Sequence, residues 1–347
     1  MNRKVILIGA IDKENVPTNG ETMKNQMLLK RFDEIFDKVI SIDTFHWTKR
    51  PWVAFQILWN LATNYGASVV VSASGAASYI YDFLYYCPLK KNVFDWVIGG
   101  SRAERIRQGK YRIKSLKRLK RIIVEGFTMV KDLNSLGLNN VIRVPNFKPI
   151  DYDAKITPKK DGDLMRFVFF SRMHPAKGVN EILEACKLLD DSGYTDKYIV
   201  DFYGAFDTNY EVQFNKMIRN HGNINYKGFL NMLNKSGYDT LSTYDVMLFP
   251  TYWDGEGFAG VVLDANMVGL PIIASDWNMN KEVIQDGETG FIIPVHDHKA
   301  LANRMKAFIN GDVDLMSMKQ KCLKYVKQFD YRNVVTKDLL KNIGLFK

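Results

Sequence analysis

Two acidic residues eight positions apart, Glu256 and Asp264, flank the turn Gly257-Phe258-Ala259-Gly260, and well upstream Arg172 and Lys177 precede Gly178. Cations and free backbone N–H groups suit the charged oxygens of a pyrophosphate. Carboxylates accept hydrogen bonds from sugar and ribose hydroxyls. One ligand that carries both kinds of group is a sugar nucleotide. For Arg172 and Lys177 alone, a solvated basic loop is an equal explanation. Asp264 is harder to dismiss as an ordinary helix position. Its neighbours Val262, Leu263 and Ala265 are apolar, and a carboxylate in that setting needs a partner.

Strand and helix patterns place these residues. The run Phe167-Val168-Phe169-Phe170 reads as a buried strand ending at Ser171-Arg172, and a helix carrying Ile182, Leu183, Ala185 and Leu188 follows Gly178. That puts both cations beyond the carboxyl end of a strand, where parallel-sheet proteins bind ligands. A second run, Val246-Met247-Leu248-Phe249, stops at Pro250. A loop to Phe258 follows, and Ala259 or Gly260 opens a helix whose first N–H groups are free to hold an anion. Asp264 lies one to two turns further along.

The chain has 347 residues, 46% hydrophobic and 25% charged, which suits two globular domains. Strands are expected at 4–8, 38–42, 68–72, 92–98, 121–124 and 141–144, and again at 166–170, 199–203, 224–227, 246–249, 271–274 and 290–293. Helices are expected at 23–36 and 53–65, then at 180–191, 209–221, 237–242 and 261–268. Such alternation predicts parallel sheets covered on both faces. The boundaries read as a domain at 1–148, a Pro/Lys/Gly-rich linker at 149–163, a second domain at 164–329, and a final helix at 331–345. No apolar run approaches the ~20 residues of a membrane span. The run Val5-Ile6-Leu7-Ile8-Gly9-Ala10 is too short for a signal-peptide core. Cys87, Cys186 and Cys322 are scattered, with no CxxC, which points to a reducing compartment and no zinc site.

The stretches 169–178, Gly204, 226–229, 245–250, 256–264, 269–275 and 286–294 together resemble, in order, the C-terminal domain of glycosyltransferase family 4, the retaining enzymes of GT-B fold among the glycosyl transferases group 1. The resemblance implies an α/β chain of two Rossmann-like domains facing each other across a cleft, the C-terminal helix within 330–347 returning to complete the first. It implies an enzyme of the hexosyltransferase class that moves a sugar from a nucleotide-diphosphate donor, UDP-linked, to a saccharide acceptor. The expected acceptor is lipid-linked, in capsule or other surface polysaccharide biosynthesis. Arg172 and Lys177 would bind the donor diphosphate, Glu256 the donor sugar, and Asp264 the ribose. Gly204, Gly257, Phe258, Ala259 and Gly260 would line the donor site. No cofactor or metal is expected. Two departures are Asp264 where the family has Glu, one methylene longer, and Ser171 where it usually has Gly. In the first domain, Gly20 is the candidate for a loop approaching the donor phosphates, since a residue without Cβ lets backbone come close. The alternative is a plain turn capped by Asn19. Many family members place a histidine at the end of a mid-domain strand. The corresponding segment here, 94–100, has none, and Gly99 and Gly100 would leave room for backbone contacts; His46 reads as a loop residue.

The net charge of +10 is uneven. Residues 1–150 hold 24 Lys and Arg against 12 Asp and Glu, and the remainder holds 24 against 26. Ten cations lie between Arg102 and Arg121, opposed only by Glu104, and aromatic residues precede them at Tyr79, Tyr81, Phe83, Tyr85, Tyr86 and Trp96. Basic residues beside aromatics suit an anionic membrane surface, with Lys114, Lys117, Arg118 and Arg121 as contact candidates. The bland alternative is a solvated helix face over core aromatics. No nucleic-acid motif is present. The expectation is a cytoplasmic protein held peripherally at the inner membrane face. Two rivals share the donor site: a GT-B sugar-nucleotide epimerase, which needs more acid/base groups than five histidines suggest, and a non-catalytic sugar-nucleotide-binding partner of another transferase.

Overall fold

The apolar runs of the first half form six parallel strands in a computed structural model that describes residues 3–346 other than 14, 16–19, 74–76, 88–91, 161, 208 and 220. They are β1 (Lys4–Gly9), β2 (Lys38–Asp43), β3 (Ser68–Ser72), β4 (Val93–Trp96), β5 (Arg121–Val124) and β6 (Val141–Arg143). Between them run α1 (Gly20–Ile35), α2 (Trp52–Thr63), α3 (Ala77–Tyr86), α4 (Arg102–Arg107), α5 (Ile113–Lys117) and α6 (Phe127–Ser135). The strand order is β2-β1-β3-β4-β5-β6, parallel throughout. β3 is buried along its whole length, as a strand covered on both faces must be. The connection β1→β2 runs one way across this sheet and the later ones run the other way. Right-handed crossovers therefore put α1 on one face and α2, α3, α5 and α6 on the other. At the reversal between β1 and β3, the Asn25 amide donates to the carbonyls of Ala10 (3.0 Å) and Ser72 (2.9 Å).

The second half repeats the plan with β7 (Met165–Phe170), β8 (Tyr198–Tyr203), β9 (Ile224–Tyr226), β10 (Val246–Phe249), β11 (Ile272–Ser275) and β12 (Gly290–Ile293). Its helices are α7 (Val179–Asp191), α8 (Tyr210–Ile218), α9 (Lys235–Leu241), α10 (Gly260–Met267), α11 (Asn280–Val283), α12 (His298–Asn310) and α13 (Leu315–Val326). The order β12-β11-β10-β7-β8-β9 is the dinucleotide-binding order 3-2-1-4-5-6 read from the other edge. Its strand order reverses between β7 and β10, which pair directly. Two parallel six-stranded sheets, the first ordered β2-β1-β3-β4-β5-β6 and the second in this order, give the GT-B fold.

The chain divides into a first unit of residues 1–149 with 328–347, and a second unit of residues 150–327. The expected linker at 149–163 is largely tied to the second unit. The Tyr152 ring stacks on Tyr238 at 5.3 Å, and the Lys159 ammonium lies 2.7 Å from an Asp245 carboxylate oxygen. Asp161, part of that segment, lies outside the described residues. The last residues do build into the first unit: Tyr331, Val334, Val335, Leu340, Ile343 and Leu345 join the core around Phe32, Phe94 and Trp96. They form two short helices, α14 (Tyr331–Val334) and α15 (Lys337–Asn342), instead of one helix over 331–345. The break falls at Val335-Thr336, where Thr336 turns extended and its hydroxyl caps α15 by accepting from the Leu339 N–H, the role Thr takes in preference to a mid-helix position. α1 likewise starts at Gly20, earlier than the expected Met23. Gly20 is thus the exposed first residue of a helix, not part of the preceding loop, and a Cβ there would meet nothing within 4 Å. Asn19, its alternative cap, lies outside the described residues.

Candidate functional site

The second sheet's reversal point carries the site, because the loops after β7 and β10 leave adjacent strand ends. After β7, the Met173 N–H bonds the Ala205 carbonyl, and His174 then caps a 3₁₀ turn over Pro175–Lys177, its Nδ1 accepting from the Ala176 N–H at 3.0 Å. Pro175 at the first position suits that turn. Gly178 ends it at φ 85°, and a Cβ there would sit 2.3 Å from the Pro250 carbonyl oxygen. The close approach locks the two loops together. The Tyr252 N–H completes the junction by donating to the Ala176 carbonyl at 2.8 Å.

Lys177 is buried by this packing, and its ammonium donates to the Glu256 carboxylate. Burial pulls the lysine below its ordinary pKa, Glu256 offsets part of that, and Arg172 adds to the lowering. The same Glu256 oxygen accepts from the hydroxyl of fully buried Thr251 at 3.1 Å. The backbone of Glu256 is held too: its carbonyl accepts from Asn278 Nδ2 at 2.5 Å, and its N–H bonds the Trp253 carbonyl. Trp253 organises the cations. The Arg172 guanidinium lies 4.5 Å from its ring centroid, the Lys177 ammonium 5.8 Å, and the His174 ring meets its edge at 5.0 Å. Arg172 itself is exposed, so a cation faces solvent beside a buried lysine–glutamate pair.

Arg172, Lys177 and Glu256 are therefore together. Gly204 adjoins them through Ser171: at φ 153° a Cβ on Gly204 would sit 1.7 Å from the Ser171 carbonyl oxygen. Gly257 and Phe258 continue from Glu256, and Ala259 is the extended residue before α10, whose first residue is Gly260. The N-cap Ala259 offers no side-chain cap to that helix start, and the Val262 N–H donates back to the Ala259 carbonyl at 3.1 Å. Asp264 is buried on α10, and one of its oxygens accepts from the Tyr238 hydroxyl at 2.9 Å. That hydrogen bond ties α10 to α9. Sequence reading places Thr251, Trp253, Ser275 and Asn278 in loops and at a strand end without giving them a role in the site. Ser275 donates from its hydroxyl to the Thr251 carbonyl. Nothing in their spacing marks them; they act through the loop's folded shape. Among the described residues no group of three or more His, Cys, Asp or Glu is arranged to hold a metal ion.

In the first unit, Gly99 is a left-handed turn residue with open space around it. The segment 94–100, where many family members place a histidine, buries Asp95, ion-paired with Arg102 at 2.7 Å. Arg102 is thus a core residue and leaves the basic run. Tyr81 and Trp96 are also core, correcting their assignment to a surface patch. Lys114, Lys117 and Arg118 are exposed and Arg121 is half-buried.

The glycosyl transferases group 1 model matches residues 153–329, half of the chain. The chain belongs to that family. Among curated relatives it is 28% identical to the capsular polysaccharide biosynthesis glycosyltransferase CapM of Staphylococcus aureus over 42% of this chain and 36% of that one. It is 22% identical to the putative colanic acid biosynthesis glycosyltransferase WcaL of Escherichia coli over 57% and 48%. The chain thus spans between a third and a half of these relatives' length. Among solved structures, the lipopolysaccharide outer core galactosyltransferase WaaB aligns over 98% of both chains at a TM-score of 0.73 and 12% identity. Anabaena HepE in complex with UDP aligns over 99% of this chain and 100% of its own at 0.72 and 12%. At such identity these two share the fold. No described helix is long and apolar enough to cross a membrane.

Proposed function

We propose that this chain is a retaining glycosyltransferase of family 4. It transfers a sugar from a nucleotide-diphosphate donor, UDP-linked, to a lipid-linked saccharide acceptor in surface polysaccharide assembly. It works at the cytoplasmic face of an anionic membrane, with Lys114, Lys117, Arg118 and Arg121 as contacts. The observation that carries this is the joint placement of Arg172, Lys177 and Glu256 at the reversal point of a dinucleotide-binding sheet. As the bond between the sugar's anomeric carbon and the diphosphate oxygen breaks and the acceptor's hydroxyl oxygen bonds that carbon on the same face, negative charge grows on the diphosphate. Arg172, Lys177 and the N–H groups opening α10 stabilise it, so no metal is required. Glu256 accepts from a sugar hydroxyl, Asp264 from the ribose, and the departing phosphate takes the acceptor's proton. Support for UDP comes from relatives of the same fold, whose complexes hold UDP.

The test is a thermal-shift screen against UDP, GDP, ADP, CMP and their sugar conjugates. At a hundredfold excess over Kd a ligand adds ~2.7 kcal/mol, which is roughly 5–10 °C for a unit of this size. A rise with uridine ligands, lost in Arg172→Ala, is expected; Arg172 is exposed, so its removal spares the fold. A rise with none of these ligands, or one unchanged by Arg172→Ala, overturns the reading.

A further inference from the structure

Helix α2 is apolar on the side it shows to water. Its sequence, Trp52-Val53-Ala54-Phe55-Gln56-Ile57-Leu58-Trp59-Asn60-Leu61-Ala62-Thr63, contains no charge, and only Val53 and Leu61 are buried. Trp52 is 57% exposed, Phe55 66%, Leu58 42% and Trp59 60%. The Phe55 and Trp59 rings stack at 6.2 Å on that outer face. Soluble surfaces rarely leave so many large apolar groups contiguous unless something covers them.

The patch continues beyond α2. The 3₁₀ turn Trp47–Lys49 precedes the helix, and the Trp47 ring lies 6.2 Å from that of Tyr79 on α3. From α3, Phe83 and Tyr86 are also exposed. Cations then rim the aromatics. The Arg112 guanidinium sits 5.5 Å from the Tyr86 ring and donates to its hydroxyl, while Arg118 sits 4.6 Å from the Tyr85 ring and donates to its carbonyl at 2.7 Å. From Trp47 to Tyr65 the only charges are Lys49 and Arg50, and exposed Lys114 and Lys117 lie on α5. The crossover rule puts α2, α3 and α5 on one face of the first sheet.

We propose that α2 is a membrane-interface helix that lies flat in the headgroup boundary of an anionic bilayer. Trp52, Phe55, Leu58 and Trp59 enter the acyl edge, and the α5 segment's cations meet lipid phosphates. This builds on the membrane partner proposed above and moves the anchor from the basic run to α2. Twelve residues rise ~18 Å, short of a span and suited to lying in the plane. Trp and Tyr favour that boundary, and apolar insertion beside basic residues is how such helices bind. A second copy is a poorer occupant. A twofold interface sets a patch against itself, and here it would press one basic rim on another, in which Asp82 already faces Arg112 of its own rim.

The experiment uses the full chain and vesicles of phosphatidylcholine with phosphatidylglycerol, part of the phosphatidylcholine brominated. Wild type should co-sediment with these vesicles and bind pure phosphatidylcholine at least tenfold more weakly. Its tryptophan emission should be quenched by the bromines. The variant Trp52→Ser/Phe55→Ser/Trp59→Ser should lose at least tenfold in binding together with most of the quenching, with an unchanged far-ultraviolet spectrum because the three side chains are exposed. Should that variant misfold, wild-type quenching decides alone: co-sedimentation without quenching overturns the insertion of α2. Binding that survives the triple substitution but falls on neutralising Lys114, Lys117, Arg118 and Arg121 overturns the α2 assignment and leaves the membrane reading standing. Failure of wild type to bind overturns both, as does a dimer that the triple variant makes monomeric without any vesicle binding.

Discussion

Replacing Lys177 by Met should destabilise the second unit by about 3–4 kcal/mol at pH 7, and the size of that loss follows from the burial of its partner. The Lys177 and Glu256 side chains are 6% and 11% exposed and in direct contact. Breaking a buried pair by removing one partner costs ~3–5 kcal/mol, because the other charge is left uncompensated. Glu256 retains the Thr251 hydroxyl as donor, but a neutral donor answers only part of a carboxylate's charge. Urea unfolding followed by circular dichroism measures the loss. The double variant Lys177→Met/Glu256→Gln should recover most of it, since two neutral groups of similar shape replace a buried pair at little cost. A Lys177→Met penalty below ~1 kcal/mol, or a double variant no more stable than Lys177→Met, would refute the account of a desolvated pair. The same pair bears on ligand binding, since a diphosphate must compete with Glu256 for the ammonium.

Gly178→Ala forces a Cβ against the Pro250 carbonyl at a left-handed φ. The φ term alone is ~1–2 kcal/mol, so a melting temperature lowered by less than ~2 °C would show that the loops separate freely. Alkali should weaken the fold from about pH 8.5 upward. The buried thiols of Cys186 and Cys322 and the buried phenols of Tyr198 and Tyr244 are all pushed up by burial, Cys186 to about 12. Folded, they keep protons that the unfolded chain has released, so stability falls as pH rises through that window. Lys177 and Lys319, lowered by burial, act in the opposite sense, two groups against four. A urea midpoint at pH 10 equal to or above that at pH 7 would contradict the sign. Neutralising Lys114, Lys117, Arg118 and Arg121 together should weaken binding to anionic vesicles, at ~1 kcal/mol per cation near the surface, with the effect fading in high salt; equal binding would remove these residues from the contact.

What the sequence discloses and what it hides divide along a physical line. Strands such as Val246–Phe249 are legible because a central parallel strand is apolar throughout and stops at a proline or glycine. Arg172 and Lys177 are legible because they follow such a strand end. Loop-borne hydrogen bonds are not: Thr251, Trp253 and Asn278 acquire their roles only when a turn brings a hydroxyl, a ring or an amide to one carboxylate. Aromatic runs mislead in both directions. Tyr81 and Trp96 look like surface material beside the basic run yet fill the core. The α2 residues look like core because an apolar pattern records affinity for nonpolar surroundings without saying whether protein supplies them.

The return of the last residues to the first unit has a consequence for biosynthesis. The hydrophobic cluster around Phe32, Phe94 and Trp96 includes Tyr331, Val335 and Leu345, which the ribosome makes only after the whole second unit. At ~5–20 residues per second, the stretch from Pro149 to Tyr331 takes roughly 9–36 s to synthesise. Through that interval the nascent first sheet waits with part of one face uncovered, while the second unit has every strand it needs to fold. The first unit is therefore finished after the second that follows it in the chain, and a premature stop that removes residues 331–347 is, physically, an injury to the fold built from residues 1–149.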